Sequence, residues 1–239
     1  ARRLMADWHR AVDTATASGQ AIPPTEAQVI GAVNRAARPR DVVVCAAGGL
    51  PGELHKLWRA SDPKGYHLEY GYSCMGYEIA GGLGVKLALP DREVFVLVGD
   101  GSYLMLNSEI ATSVAMQKKL VVVVLDNHGF GCINRLQQGC GGAPFNNLLG
   151  DAPAIDFAAH ARSLGAAAEE VKSIADLEAA LSRAKGADRT FVVAIETDPT
   201  VTTAAGGAWW DVPVPEVSTR PQVRDAHTRY VDGRGRQRS

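Results

Sequence analysis

The sequence predicts an α/β protein with a doubly wound, mostly parallel sheet that is covered by helices on both faces. Two runs, Glu93 to Val98 and Leu120 to Leu125, are almost entirely apolar rather than alternating. Strands of this kind are buried on both faces, which is typical of parallel sheets. The segment between them, Leu104 to Lys119, has a helical pattern. A strand, a helix and a strand in that order form a crossover unit, so the two strands should be parallel and near neighbours.

The other elements are predicted from caps, turns and composition. Thr25 can cap a helix over Glu26 to Arg38. A strand over Val42 to Ala46 then leads into a glycine turn and a short helix that ends at Trp58, and residues 60–73 are predicted as a loop. Further helices are predicted over residues 75–89, 156–164 and 173–185, and a last strand over residues 190–196.

Three parts of the chain are expected: a lead-in segment over residues 1–24, one domain over residues 25–200 and a tail over residues 201–239. The tail is rich in proline from Gly206 and basic from Arg229 to Arg238, which predicts a frayed end. The chain begins at Ala1 rather than at a Met, so we expect it to be cut from a longer protein.

The composition argues against several classes of partner. A net charge of -1 makes nucleic acid an unexpected partner, because nucleic-acid binding usually needs a basic surface. No apolar run reaches the length of a membrane span. The cysteines form no CxxC pair and no zinc-like spacing with histidine, so they are expected to be free thiols in the cytoplasm. These cysteines are Cys45, Cys74, Cys132 and Cys140.

Polar side chains follow the two clearest strands and predict a metal site. Asp100 comes after one strand and Asn127 after the next. The carboxyl ends of parallel neighbours lie about 5 Å apart, so the two side chains can converge on one ion. Oxygen ligands with a single carboxylate suit Mg²⁺ together with a phosphate-bearing ligand, to which Ser102 could donate its hydroxyl. Asp100 is expected to be the only carboxylate ligand, exposed at a strand end; the alternative is that Gly99-Asp100-Gly101 is an ordinary turn.

This spacing resembles a known cofactor motif. Gly99-Asp100-Gly101, then 24 residues, then Asp126-Asn127 is similar to the GDG…NN motif of thiamin-diphosphate-dependent enzymes, with Asp126 in place of the usual first Asn. The resemblance implies that residues 25–200 are a thiamin-diphosphate-binding domain. It also implies that Asp100, Asn127 and the backbone carbonyl of Gly129 hold Mg²⁺.

A second segment resembles the acetolactate-synthase-like members of that family. In Gly71 to Ala80, Met75 would wedge under the cofactor and bend it, and the backbone carbonyl of Ser73 would accept a hydrogen bond from its aminopyrimidine. The alternative for Met75 is an ordinary core methionine. The full set of expected cofactor-binding residues is Gly48, Gly49, Leu50, Ser73, Met75, Gly99, Gly101, Ser102, Asn127, Gly129 and Phe130. No flavin is expected.

Three further segments, Val44 to Trp58, Gly129 to Gln137 and Trp209 to Val217, resemble the trihydroxycyclohexanedione hydrolases of inositol breakdown. That resemblance implies hydrolytic C–C cleavage of a cyclic 1,2-diketone. It implies as partners a separate pyrimidine-binding domain that supplies an activating glutamate, since no strand-borne Glu precedes Gly48, and assembly as a homodimer or homotetramer. Acetolactate synthases carry Gly-Gln-His in the first of these segments, which this chain lacks.

Two other functions stay open at this point. One is an acetolactate-synthase-like carboligase or a 2-oxo-acid decarboxylase. The other is a non-catalytic Rossmann-type nucleotide-binding module, although Gly48 to Gly52 does not satisfy G-x-G-x-x-G. Among the remaining candidates, His128 is expected near the diphosphate as a turn residue, Glu53 and His55 on a solvated face, and Trp209-Trp210 at the edge of the site.

Overall fold

The computed structural model describes residues 2–150, 153–205 and 212–235. Its strands are β1 Val42–Cys45, β2 Tyr66–Leu68, β3 Val94–Gly99, β4 Val121–Asp126, β5 Ala167–Val171 and β6 Phe191–Glu196. Its helices are α1 Arg2–Thr16, α2 Glu26–Ala36, α3 Leu50–Leu57, α4 Tyr77–Ala88, α5 Asp100–Met105, α6 Glu109–Ala115, α7 Gly131–Gly139, α8 Phe157–Ser163, α9 Ile174–Gly186 and α10 Pro221–Arg234.

The six strands form one sheet in the order β2-β1-β3-β4-β6-β5, and every pair is parallel. This confirms the predicted fold class. β3 and β4 are direct neighbours, with Phe95 opposite Val121 and Gly99 opposite Leu125, as the crossover unit predicted. The chain winds outward in opposite directions from β1 and from β3. The topological switch point, where ligands of such sheets bind, therefore lies between these two strands.

Alternating strand residues serve two hydrophobic layers, which explains why the strand sequences are continuously apolar. In β3, Phe95 and Leu97 face the layer formed with α1, α2, α3 and α9. Val94, Val96 and Val98 face the layer formed with α4, α5, α6 and α8. Helices on both faces thus leave the carboxyl edge of the sheet as the place where loops can form a site.

A local signal sets the start of α2 correctly. Thr25 caps α2 in a capping box: its hydroxyl accepts the N–H of Gln28, whose side chain accepts the N–H of Thr25. The helix ends at Ala36 rather than Arg38, because Ala37 is extended and Pro39 follows shortly after. The four cysteines are free thiols, as expected.

Other elements were missed or misjudged. Part of the expected lead-in is helix α1, which packs against α2 and α3 and buries Val12. The expected loop over 60–73 contains β2, and β5 was not predicted; both are sheet-edge strands that are only partly buried. The helix predicted over 104–119 is two helices, and the first begins at Asp100 itself.

Two further helices lie where none was predicted. α7 follows the second glycine-containing turn, and α10 runs through much of the tail that was expected to be frayed. α10 is polar but anchored, since Val223 and Ala226 pack with Val214 in a small separate cluster. None of the helices in the described ranges is long and apolar enough to cross a membrane.

Candidate functional site

A cavity of about 540 Å³ opens at the carboxyl ends of β1, β3 and β4, next to the switch point. The structure brings to it every residue that the sequence predicted to touch the cofactor or the metal. They are Gly48, Gly49, Leu50, Ser73, Met75, Gly99, Asp100, Gly101, Ser102, Asn127, Gly129 and Phe130. Their individual roles stay predictions, but segments far apart in the chain form one wall.

The two predicted side-chain metal ligands lie on adjacent turns that are joined directly. Asp100 Oδ2 accepts the backbone N–H of Gly129 at 2.7 Å, so the start of α5 is tied to the turn after β4. Asp100 is 6% exposed and Asn127 9% exposed. The expectation that Asp100 is exposed at a strand end is therefore wrong: Asp100 begins helix α5, and its carboxylate is enclosed against the turn after β4.

Unpartnered oxygen atoms concentrate at this cavity. In the described part of the chain, four buried side-chain oxygens have no hydrogen-bond partner, and three belong to cavity residues: Asp100 Oδ1, Asn127 Oδ1 and Glu26 Oε2. Each such atom has lost its water contacts without replacement, which is unfavourable unless a ligand supplies the missing interaction. Of the three, the oxygens of Asp100 and Asn127 belong to the predicted ligands, and hard oxygens of this kind suit a hard divalent cation such as Mg²⁺.

Glu26 was missed by the sequence reasoning, which expected Asp100 to be the only carboxylate here. Glu26 is the first residue of α2, where an acidic side chain is ordinary helix-end chemistry, so no local signal marks it. Burial raises its pKa, while the nearby guanidinium of Arg135 and a hydrogen bond with the Asn127 side chain act to lower it. The Asn127 side chain thus contacts a second buried carboxylate at the cavity wall.

The electrostatics of Asp100 also fit a bound cation. Burial, with a smaller contribution from the negative charge of Asp126, raises the pKa of Asp100 to about 6. A divalent ion at Oδ1 would favour the ionised carboxylate and reverse this shift. No three His, Cys, Asp or Glu side chains are grouped as metal ligands in the described ranges. A cation at this place would therefore depend on amide, carbonyl and ligand oxygens as well as on carboxylates.

Glycines and helix ends shape the adjoining wall for an anion. An ideal Cβ on Gly48 or on Gly99 would meet no atom within 4 Å, and Gly48 has a φ of +90°. Both glycines therefore leave open space at the cavity wall. Helices α3 and α7 begin at Leu50 and Gly131, which line the cavity. Helix N-termini carry unpaired N–H groups and a partial positive charge, both of which favour phosphate.

The chemistry of this cavity agrees with the sequence family. The family described as "Thiamine pyrophosphate enzyme, C-terminal TPP binding domain" matches residues 28–195. The chain belongs to this family. The match runs from α2 into β6 and includes every predicted site residue, and it leaves no support for the alternative of a non-catalytic Rossmann-type module.

Curated relatives and one solved structure are also similar to this chain. A 3D-(3,5/4)-trihydroxycyclohexane-1,2-dione hydrolase of Bacillus licheniformis is 44% identical over 214 residues, which cover 86% of this chain and 33% of the relative. The enzyme of the same name from Halalkalibacterium halodurans is 44% identical over 200 residues, 82% of this chain and 31% of the relative. The chain thus spans about a third of the length of these relatives. The fold matches a thiamine diphosphate-dependent 4-hydroxybenzoylformate decarboxylase of Rhodococcus jostii, with a TM-score of 0.69 at 21% identity, over 76% of this chain and 34% of that one.

Within this thiamine pyrophosphate fold, the segment that carries Met75 has an unusual backbone. Ser73 has a φ of 52° and Gly76 a φ of +92°, and Glu69 accepts the N–H groups of Tyr72 at 3.1 Å and Cys74 at 2.8 Å. Non-glycine residues rarely adopt such a φ, so these contacts hold a strained turn. Met75 is 37% exposed at the cavity, which does not fit the alternative of a core methionine.

Two of the expected roles change in the structure. The hydroxyl of Ser102, expected to be available to a phosphate, lies 2.7 and 2.8 Å from the carboxylate oxygens of Glu78 and accepts the N–H of Gly76. Ser102 lines the cavity, but its hydroxyl is already bonded because the first turn of α5 packs against the start of α4. Glu53 is not on a solvated face: it is buried and accepts the N–H and hydroxyl of Thr203, which docks the chain after β6 onto α3.

Neither His55 nor His128 lines the main cavity. His128 has a φ of 61° in the turn after β4, as a turn residue would, and its Nε2 lies 3.0 Å from Glu196. It lines a neighbouring cavity of about 220 Å³ rather than the main one. His55 is exposed, as expected. Trp209-Trp210 lies outside the described residues.

Proposed function

We propose that this chain binds thiamin diphosphate through Mg²⁺, as the cofactor-binding part of a hydrolase that opens trihydroxycyclohexane-1,2-dione in inositol breakdown. The observation that carries the proposal is the pair of unpartnered buried oxygens on Asp100 and Asn127, the side chains that the family motif assigns to the metal. Without these unpartnered oxygen atoms, the family match would support the fold but not a bound metal.

The cavity offers separate contacts for the two ends of the cofactor. Asp100, Asn127 and the Gly129 carbonyl would hold the metal, and the open space at Gly48 and Gly99 would admit the diphosphate. Met75 would contact the rings. When bound, thiamin diphosphate supplies a carbon nucleophile that cleaves a C–C bond next to a carbonyl group. The chain itself would orient that group, support its bent shape and exclude water from the diphosphate.

The proposed substrate rests on the curated relatives, which are named as trihydroxycyclohexanedione hydrolases and share 44% of residues over most of this chain. As partners we propose a pyrimidine-binding domain that supplies the activating glutamate, and assembly as a homodimer or homotetramer. Leu104 and Met105 are 47% and 57% exposed beside the smaller cavity. An exposed apolar patch of this kind is typical of a surface that a protein partner covers.

Calorimetry tests the binding step. The protein should bind thiamin diphosphate with Mg²⁺ and lose most of that affinity with EDTA, whereas thiamin, which lacks the diphosphate, should bind weakly in both conditions. Turnover is tested next in the protein as its gene encodes it, because we propose that a pyrimidine-binding domain supplies the activating glutamate and expect the isolated chain to be inactive. Acid release from trihydroxycyclohexane-1,2-dione and acetolactate formation from pyruvate are followed. Release of acid without carboligation supports the hydrolase. Acetolactate formation alone would replace it with the carboligase, and equal affinities with and without the metal would refute the magnesium site.

A further inference from the structure

The carboxylate of Glu78 joins three separate segments of the chain. Glu78 is fully buried in the first turn of α4. Its Oε1 accepts the N–H of Ala47 at 3.0 Å and its Oε2 accepts the N–H of Gly76 at 3.1 Å. The hydroxyl of Ser102 lies within 2.8 Å of both oxygens and also accepts the N–H of Gly76 at 2.8 Å.

Each of these segments leads directly into the cavity. Ala47 precedes the Gly48 turn after β1, Gly76 follows Met75, and Ser102 lies in the same helical turn as Asp100. Glu78 itself is not among the residues that line the cavity. It can therefore act on a ligand only through the segments that it holds.

Burying the carboxylate of Glu78 is energetically costly, which indicates that this side chain serves to position the segments that it contacts. Burial raises the pKa of Glu78, and the hydrogen bonds from Ala47, Ser102 and Gly76 act against that rise. A buried carboxylate is tolerated only when donors replace its lost water. An apolar side chain at the start of α4 would avoid this cost but could not accept N–H groups from two different loops.

The three segments do not depend equally on Glu78. The turns with Ala47 and Ser102 continue from β1 and β3, which are central strands with neighbours on both sides. The segment with Met75 lies between edge strand β2 and helix α4, and two of its residues have positive φ. Loss of the carboxylate should therefore displace the Met75 segment more than the two strand-borne turns.

We propose that Glu78 is a positioning residue that fixes the Met75 segment against the diphosphate-binding and metal-binding turns. A ligand that reaches both places is then bound more tightly than a diphosphate group alone. This inference rests on the proposed function, because it needs thiamin diphosphate to span the cavity. It assigns a role to a side chain that touches neither cofactor nor metal.

The test compares two ligands in Glu78→Gln, in the protein as its gene encodes it. Glutamine keeps the shape but puts an NH₂ group where an acceptor faced the N–H of Ala47 or Gly76. Calorimetry measures Kd for thiamin diphosphate and for inorganic pyrophosphate, both with Mg²⁺. We expect the affinity advantage of thiamin diphosphate over pyrophosphate to fall about tenfold, while the Kd of pyrophosphate changes by less than about threefold.

Two further variants keep the result interpretable. Glu53→Gln makes the same change at another buried glutamate, which bonds Thr203 and lies outside the cavity wall, so it should lower stability without altering the ratio. Ser102→Ala removes the shared hydroxyl but keeps the Glu78 carboxylate, and it tests the positioning role if Glu78→Gln does not fold. The affinity of this variant for thiamin diphosphate relative to pyrophosphate should also fall. If the hydroxyl instead acted on the diphosphate directly, its loss would weaken the binding of both ligands equally.

An unchanged ratio in folded Glu78→Gln, or in Ser102→Ala where Glu78→Gln does not fold, would overturn the positioning role. A wild-type protein that does not bind thiamin diphosphate would instead refute the proposed function, and the inference with it. The wild-type measurement therefore separates the two failures.

Discussion

Asp100 accepts a 2.7 Å hydrogen bond from the backbone N–H of Gly129, and this bond connects the two turns on which the proposed metal site depends. It occupies Oδ2 and leaves Oδ1 buried without a partner. The carbonyl of Gly129, the third proposed ligand, belongs to the residue whose N–H is held. The site is thus organised before any ion enters, which lowers the cost of binding one.

The first prediction is that Asp100→Asn abolishes Mg²⁺-dependent binding of thiamin diphosphate and does not destabilise the cofactor-free protein. Because the folded pKa of Asp100 is raised from 3.8 to about 6, the ionised carboxylate lowers stability as the pH rises through that interval. A neutral amide removes this penalty. We expect at least about a 100-fold loss of affinity by calorimetry and an unchanged or higher unfolding midpoint.

The control for this variant is Asp41→Asn. Asp41 is buried to a similar degree, 8% exposed, but precedes β1 at the opposite edge of the sheet. Its replacement should leave cofactor affinity unchanged. Normal affinity in Asp100→Asn would remove Asp100 from the metal site.

The second prediction concerns Met75→Ala. Since Met75 is 37% exposed, its truncation should change the free energy of unfolding by less than about 1 kcal/mol. If its side chain supports the bent cofactor, kcat should fall more than cofactor affinity does. Steady-state kinetics and thermal unfolding measure both effects. A large loss of stability with normal kcat per folded molecule would identify a packing residue instead.

The third prediction concerns pH and the turn after β4. The hydrogen bond that the His128 ring donates to the Glu196 carboxylate is the main cause that raises the pKa of His128 above 6.5. The histidine gains a partner in the folded state, so the contact stabilises fully below pH 6.5 and is lost as the pH rises through the folded pKa. In Glu196→Gln the pKa of His128 should fall when followed by NMR titration. An unchanged titration curve would show that the pair does not form in solution.

The fourth prediction is that Gly129→Ala disturbs both the fold and the metal site. Gly129 has a φ of +136°, and an added Cβ would lie 2.5 Å from the backbone oxygen of Asn147. The turn must shift, and its carbonyl shifts with it. Calorimetry should show weaker Mg²⁺-dependent binding, and the unfolding midpoint should fall.

Gly139→Ala is the matched control for Gly129→Ala. Gly139 lies on α7, and a Cβ there would meet no atom within 4 Å. Alanine should therefore be neutral or stabilise by up to about 1 kcal/mol. Equal behaviour of the two variants would contradict the conformational requirement at Gly129.

The sequence was sufficient to predict those parts of the fold and the site whose signal lies within one segment of the chain. The apolar runs of β3 and β4 identified parallel neighbours, and Asp100 and Asn127 follow those strands directly, so their approach could be predicted. Edge strands such as β2 and β5 are half-exposed and carry no comparable pattern. They were therefore missed.

Contacts between distant segments could not be predicted in this way. Glu26 lies 101 positions before Asn127, and the position of α2 over the cavity depends on the packing of a whole layer. Glu78 bonds Ala47 and Ser102, which precede and follow it by more than 20 residues. Such carboxylates look like ordinary helix-end residues until the fold is known.

A crystal structure of the protein with thiamin diphosphate, and with Mn²⁺ in place of Mg²⁺, tests the central claim most directly. Anomalous scattering locates the metal independently of the rest of the density. We predict one peak within about 2.0–2.4 Å of Asp100 Oδ1, Asn127 Oδ1 and the Gly129 carbonyl, with two diphosphate oxygens and one water completing an octahedral shell. A cofactor bound elsewhere, or a metal that contacts neither Asp100 nor Asn127, would contradict the account.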